Sequence, residues 1–209
     1  MKLILSEEQQ FLKDTAQSFA RDKTPTNHFR KLRDDGNAKC WDDSIWQEMV
    51  QLGWSGILVP EEFGGSDFGI AGISVIMQEL GKTLTPSPLL ATSVLGVSTI
   101  KLLGSDEQKK NYLPKIVSGE ATTALAVDEG NHHSPFDIEA TATLEGDKWT
   151  LNGQKVFIID GASADFILIV ARTSGKKGES NGLSVFIADK KSTGLEVSQI
   201  STADCRNYA

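Results

Sequence analysis

The residues best equipped for chemistry stand together at Val127-Asp-Glu-Gly-Asn-His-His-Ser134, where two adjacent carboxylates precede two adjacent histidines. Asp128 and Glu129 invite an acid–base pair. Neighbours on an extended segment point to opposite faces, however, which disfavours a shared proton. His132 and His133 invite a metal, but no cysteine or further histidine lies close enough in sequence to complete a ligand set, so no metal site is expected. Gly64 and Gly65 do not form a GxGxxG pattern and follow no strand–helix unit, so a Rossmann-type nucleotide fold is not supported. Cys40 and Cys205 are too few and too far apart for a disulfide framework or a zinc site, and a reducing cytoplasm is the simplest home.

Around these residues is a chain of 209, 39% apolar, enough for one large or two small domains. A net charge of −7 argues against nucleic-acid binding, which needs a basic footprint. The opening Met-Lys-Leu-Ile-Leu-Ser is too short for a signal-peptide core. No later run reaches membrane-spanning length, so stable membrane insertion is not expected.

The positioning elements change type along the chain. Ser6 with Gln9 is a capping box for a helix carrying Phe11, Leu12, Ala16 and Phe19, which Thr24-Pro25-Thr26-Asn27 breaks. A second helix is expected from Asp42 or Asp43 to Gly53. Val59 to Gly65 reads as a loop, Ile70 to Leu80 as a helix closed by Gly81, and Leu89 to Leu103 as a helix buried on most sides. Ser105 with Gln108 is a second capping box, opening a helix toward Lys115. After Gly119 come strand-like runs at 122–127 and 148–151, then an Asn152-Gly153 turn, then further runs at 155–159, 165–170 and 183–188. Helices followed by strands imply two domains, 1–120 all-α and 121–209 an antiparallel β-sandwich or barrel. Trp41, Trp46, Trp54 and Trp149 are expected in cores or domain interfaces, and Lys176 and Lys177 at a solvated hairpin tip.

Several local patterns, in order, resemble the acyl-CoA dehydrogenase family. They are Trp46-Gln-Glu-Met-Val-Gln-Leu-Gly-Trp54 with Val59-Pro-Glu-Glu-Phe-Gly-Gly65, Gly104-Ser-Asp-Glu-Gln-Lys109 with Tyr112-Leu-Pro114 and Ser118-Gly-Glu120, and Gly146-Asp-Lys-Trp-Thr-Leu-Asn-Gly-Gln-Lys155. Ala164-Asp165 and Gly182-Leu-Ser-Val-Phe186 continue the series. The resemblance covers nearly the whole chain and implies an FAD-dependent α,β-dehydrogenation of an acyl-CoA thioester. In that reaction a carboxylate removes the α-proton and the flavin takes the β-hydrogen. It also implies an electron-transfer flavoprotein or similar acceptor and a homo- or hetero-oligomer. The family's catalytic carboxylate lies on a C-terminal helical bundle outside these 209 residues, so no catalytic residue is assigned here. The chain reads as the truncated front of such a fold, inactive alone and expected either to self-associate or to lack a partner.

The resemblance assigns cofactor contacts to Val127, Asp128, His133, Ser134, Phe157 and Ile159. The family's Thr-Glu-Pro-x-Ala-Gly-Ser-Asp is replaced by residues 127–134. Val127 has no hydroxyl for the flavin pyrimidine, while His133 replaces a serine at the pyrophosphate and can still donate an N–H. Of Asp128 and Glu129, one is expected near the flavin or CoA entrance and the other in solvent. The family's Trp-Ile-Thr/Ser becomes Phe157-Ile158-Ile159, where Phe157 can cover the ring and Ile159 lacks a hydroxyl. Arg206-Asn207 falls where the family has an arginine, in a structural or a ligand-binding role. Two readings remain: a subfamily that holds FAD through main-chain groups, or a non-catalytic small subunit or scaffold of a heteromeric dehydrogenase.

Overall fold

The computed structural model describes residues 4–209, which form two compact units, Met1–Glu120 and Ala121–Ala209. Unit one is helical. α1 (Glu7–Lys23) starts at Ser6, whose hydroxyl accepts the Gln9 N–H at 3.2 Å while Gln9 Oε1 accepts the Ser6 N–H at 3.1 Å. These bonds satisfy donors that a helix start leaves orphaned. The buried face is Ala16, Phe19 and Ala20, with Phe19 set edge-on to Trp54 at 5.1 Å. The chain turns at Pro25 into α2 (Thr26–Asp34), which buries no residue. Its absence from the sequence-based expectation follows from its short length and from its start within the Thr24-Pro25-Thr26-Asn27 stretch read as a break.

α3 (Asp43–Gln51) is capped by Asp42, which accepts the Ser44 N–H at 2.8 Å, and it buries Ile45, Trp46 and Met49. The expected loop at 59–65 contains a short 3-10 turn, Glu61–Phe63. Gly65 beyond it admits no side chain, because a Cβ there would lie 2.0 Å from the Val59 carbonyl oxygen. α4 (Ile70–Lys82) packs along α1 and runs one residue past Gly81, so that glycine does not end it.

The segment expected as one buried helix is a π-helix, Leu90–Gly96, continuing into α5 (Val97–Leu103). Burial holds for its first part. Leu102 and Leu103 at its end are largely exposed. α6 (Asp106–Val117) has the second capping box, with Ser105 Oγ accepting from Gln108 N at 3.2 Å, and buries Leu113 and Ile116.

Unit two is a five-stranded mixed sheet: β1 (Thr123–Ala126), β2 (Thr141–Glu145), β3 (Lys148–Asn152), β4 (Phe166–Arg172) and β5 (Leu183–Asp189). Helices followed by strands is the observed order. The antiparallel expectation holds for β2–β3 and β4–β5, whereas β1 pairs β4 in parallel, Ala124 opposite Ile167. The long β1–β4 connection, which contains the β2–β3 hairpin, permits the parallel pairing.

That hairpin turns at Gly146-Asp147, not at Asn152-Gly153. Thr141–Glu145, which carries too little apolar character to announce itself, pairs with 148–152. Residues 155–159 form no strand, and only Ile159 makes an isolated bridge, to Tyr208. Trp41, Trp46 and Trp54 are buried, whereas Trp149 is 45% exposed against Phe186 and so is not a core residue of its own unit. Its strand lies at the end of the sheet's pairing order, so its outer flank is unpaired.

The core of this unit gathers Ala124, Ala126, Ile158, Ala164, Ile167 and Ala209. Arg172 is buried at the end of β4 and donates to the carbonyls of Ile138, Asn181, Phe136 and Glu179 at 2.9–3.2 Å, tying loops 136–138 and 179–181 to the sheet. Among the described residues no helix is long and apolar enough to cross a membrane, and neither cysteine forms a disulfide.

Candidate functional site

The chain leaves β1 at Ala126 and runs extended through Val127, Asp128 and Glu129. Residues 155–158 lie beside it, held by two bonds. Lys155 Nζ donates to the Val127 carbonyl at 2.9 Å, and Val156 N–H donates to the Asp128 carbonyl at 2.8 Å. The two stretches singled out from sequence, 127–134 and 157–159, are therefore neighbours inside one folded unit.

Both carboxylates are engaged by the protein, with 23% of the Asp128 side chain and 14% of the Glu129 side chain exposed, so neither is the freely solvated member expected from sequence. The Asp128 carboxylate accepts the Ser134 N–H at 3.0 Å and meets His133 Nδ1 at 3.0 Å, closing the loop 128–134 on itself. The Glu129 carboxylate accepts the Lys155 ammonium at 2.6 Å and the N–H groups of Glu139 and Ala140 at 2.7 and 3.0 Å. Partial burial opposes the Glu129 charge, but the Lys155 ammonium and those two N–H groups outweigh it and hold the carboxyl below its ordinary pKa. Burial holds the Lys155 ammonium below the usual amine value, with Glu129 working the other way. A period-2 view of an extended segment missed this, because a partner 26 residues away, not the local pleat, sets the direction of the Glu129 side chain.

The other assigned residues differ in what they present. His133 is exposed, with Nδ1 turned to Asp128 and Nε2 therefore on the opposite edge of the ring. Ser134 is half-buried, and its N–H is engaged by Asp128. Phe157 has φ of 55° and leaves its ring 47% exposed. Val127 and Ile159 are half-buried and bring no hydroxyl. A planar apolar group fits the half-open Phe157 ring, and an anionic group could take a hydrogen bond from His133 when the imidazole is protonated. The hydroxyl contacts expected at 127 and 159 have no donor here.

Sequence reasoning assigned no role to Asp160. Its carboxyl is buried, and burial pushes it up to about 7 while Arg206 draws it back down. A single acidic residue after an Ile-Ile pair was the available signal. Arg206 itself is half-buried and its N–H donates to Asp204 Oδ1 at 3.2 Å.

Unit two also has a cleft of about 670 Å³, bordered by Ile167, Ile169 and Ile187 on the sheet and by Leu195 and Val197 on the 192–198 segment. None of the six assigned residues lines it; Lys155 does. Its lining includes the core residues Ala126, Ile158 and Ile167, and through Ala126 and Lys155 it adjoins the start of the 127–134 loop. No cluster of three or more metal-ligating side chains occurs among the described residues.

Comparison with known proteins covers both units. Residues 6–120 match the acyl-CoA dehydrogenase N-terminal domain and residues 124–207 match the acyl-CoA dehydrogenase middle domain. The chain is 31% identical over 207 residues to mitochondrial isovaleryl-CoA dehydrogenase of Pongo abelii, covering 93% of this chain and 47% of that protein. Among solved structures, acyl-CoA dehydrogenase from Geobacillus kaustophilus superposes with a TM-score of 0.84 at 27% identity, over 100% of this chain and 55% of that one. The FAD complex of PigA gives 0.84 at 27% identity, over 99% and 55%. The chain spans about half the length of the relatives it matches.

Proposed function

The chain belongs to the acyl-CoA dehydrogenase family, and from that premise we propose that it forms the helical and β parts of an FAD-dependent enzyme that α,β-dehydrogenates an acyl-CoA thioester. The observation that carries the reading is the pairing of residues 127–129 with 155–156, which brings the 127–134 loop alongside the segment that carries the exposed Phe157. Phe157 would cover one face of the flavin ring, and His133 would donate to its phosphates. FAD, when bound, supplies the two-electron acceptor for the substrate's β-hydrogen. The residues of this chain bind and orient. Phe157 would exclude water from one ring face, and Lys155 holds the Val127 carbonyl in place. An electron-transfer flavoprotein or similar acceptor would be the redox partner. No residue in 1–209 is assigned the α-proton, so the chain alone should not turn over acyl-CoA.

Val127, Ile159 and the engaged Ser134 N–H favour a second reading, a non-catalytic subunit that supports an active partner.

A titration of FAD into the purified chain, followed by flavin fluorescence, tests the first reading. Saturable quenching that Phe157→Ala weakens several-fold is expected, in line with an aromatic contact of about 0.5–1.5 kcal/mol. Absence of flavin binding both here and in any longer native form of the protein would overturn that reading in favour of the second. Reduction of bound flavin by an acyl-CoA with this chain alone would overturn the assignment of no base.

A further inference from the structure

Phe157 and Asp160 both adopt positive φ, 55° and 56°. Such a conformation is uncommon for residues with a side chain and persists only where the surroundings impose it. Here the surroundings are residues 207–209. Ile158 N–H donates to the Ala209 carbonyl at 2.9 Å and Ala209 N–H returns to Ile158 at 3.1 Å. Asp160 N–H donates to the Asn207 carbonyl at 2.7 Å, and Ala162 N–H donates to Asn207 Oδ1 at 3.1 Å. Into this clamp the fold inserts a carboxyl that is only 9% exposed.

We infer that Asp160 is a positioning residue whose neutral form keeps 157–160 closed on 207–209, and so fixes the Phe157 ring, while its ionised form loosens that clamp. The consequence for flavin rests on the function proposed above; the clamp itself does not. A carboxylate in this pocket loses its hydration. The titratable neighbours are Arg206 and Tyr208 on the facing segment, with Asp204 beyond the Tyr208 hydroxyl at 3.5 Å. Lys190 donates to the Ala162 carbonyl at the end of β5, and Asp165 is engaged by Thr122. Arg206 opposes the effect of burial without cancelling it, since the carboxyl still titrates at about 7 against an ordinary 3.8.

The sign follows from that difference. An opened segment releases the proton near 3.8, while the closed one keeps it to about 7. The stabilisation of the closed form is therefore complete below the first value, declines between the two, and is gone above the second.

Amide hydrogen exchange in the chain without flavin tests this between pH 5 and 8, after correction for the intrinsic base-catalysed rate. Protection at Ile158, Asp160 and Ala209 should fall about tenfold per pH unit up to neutrality and then level. Asp160→Asn should flatten the profile. Arg206→Gln should move its levelling point to higher pH, because it removes the group that favours the anion, and this holds the test open should the asparagine variant fail to fold. Identical profiles in wild type and variant, or an unmoved levelling point in Arg206→Gln, would overturn the inference. If exchange behaves as expected and no flavin binds at any pH, either to this chain or to any longer native form, the clamp stands and the proposed function falls.

Discussion

Lys155 Nζ lies 2.6 Å from Glu129 Oε1, with 7% and 14% of the two side chains exposed, and this pair joins the two stretches that carry the assigned cofactor contacts. Buried ion pairs seldom add much net stability, because desolvation offsets attraction. Losing one partner is a different matter, since it strands the other charge.

Lys155→Met and Glu129→Gln should therefore each destabilise the protein by about 2–4 kcal/mol in urea unfolding. The double variant should lose less than the sum, giving a coupling energy of about 1–3 kcal/mol. Glutamine retains a single acceptor oxygen for the Glu139 and Ala140 N–H groups, which bond different carboxylate oxygens, so Glu129→Gln loses one of these bonds as well as the ammonium contact. The acid branch has a definite sign. Glu129 has a folded-state pKa below its ordinary 4.5, so its contribution is present above that value and is lost as pH falls through the lowered one. Strict additivity, or an acid branch unchanged in Glu129→Gln, would remove the pair from its assigned role.

How far the sequence revealed this arrangement depended on range. Ser6 with Gln9 and Ser105 with Gln108 were legible because a capping box is closed within four residues. The hairpin was misplaced because Asn152-Gly153 has turn composition, while the actual turn at Gly146-Asp147 is chosen by pairing with Thr141–Glu145. Gly153 answers a different demand: at φ of 153° a Cβ would come within 2.5 Å of the Ala140 Cβ. The assigned loop was found through its likeness to a family motif. The direction of Glu129 and the burial of Asp160 and Arg172 depend on contacts formed only when distant segments meet, and no local pattern encodes them.

The missing hydroxyls at 127 and 159 make the cofactor assignment testable by restoring them. Val127→Thr is near-isosteric and Ile159→Thr is one carbon smaller, both at half-buried positions. Under the enzyme reading, each should tighten FAD binding about three- to tenfold, the range of a net hydrogen bond of about 0.5–1.5 kcal/mol. Fluorescence titration at fixed salt measures it. Unchanged affinity in the double variant, with folding intact by circular dichroism, would mean that the flavin does not pass these two positions.

Leu102 and Leu103 end α5 with 78% and 67% of their surface exposed, and Ile70 at the start of α4 is 60% exposed. Single exposed leucines are ordinary on a protein surface, but two adjacent ones on a helix terminus are better explained by a covering surface. The neighbouring Ile100 is buried, so the helix places its apolar face inward and these two leucines contribute nothing to that core. The chain should therefore self-associate at high micromolar concentration, with sedimentation velocity showing a concentration-dependent shift. Leu102→Lys/Leu103→Glu should abolish the shift while leaving thermal unfolding of dilute protein within about 0.5 kcal/mol of wild type, as expected for surface positions. A wild-type chain that stays monomeric throughout would show that these leucines are tolerated exposure and not half of an interface.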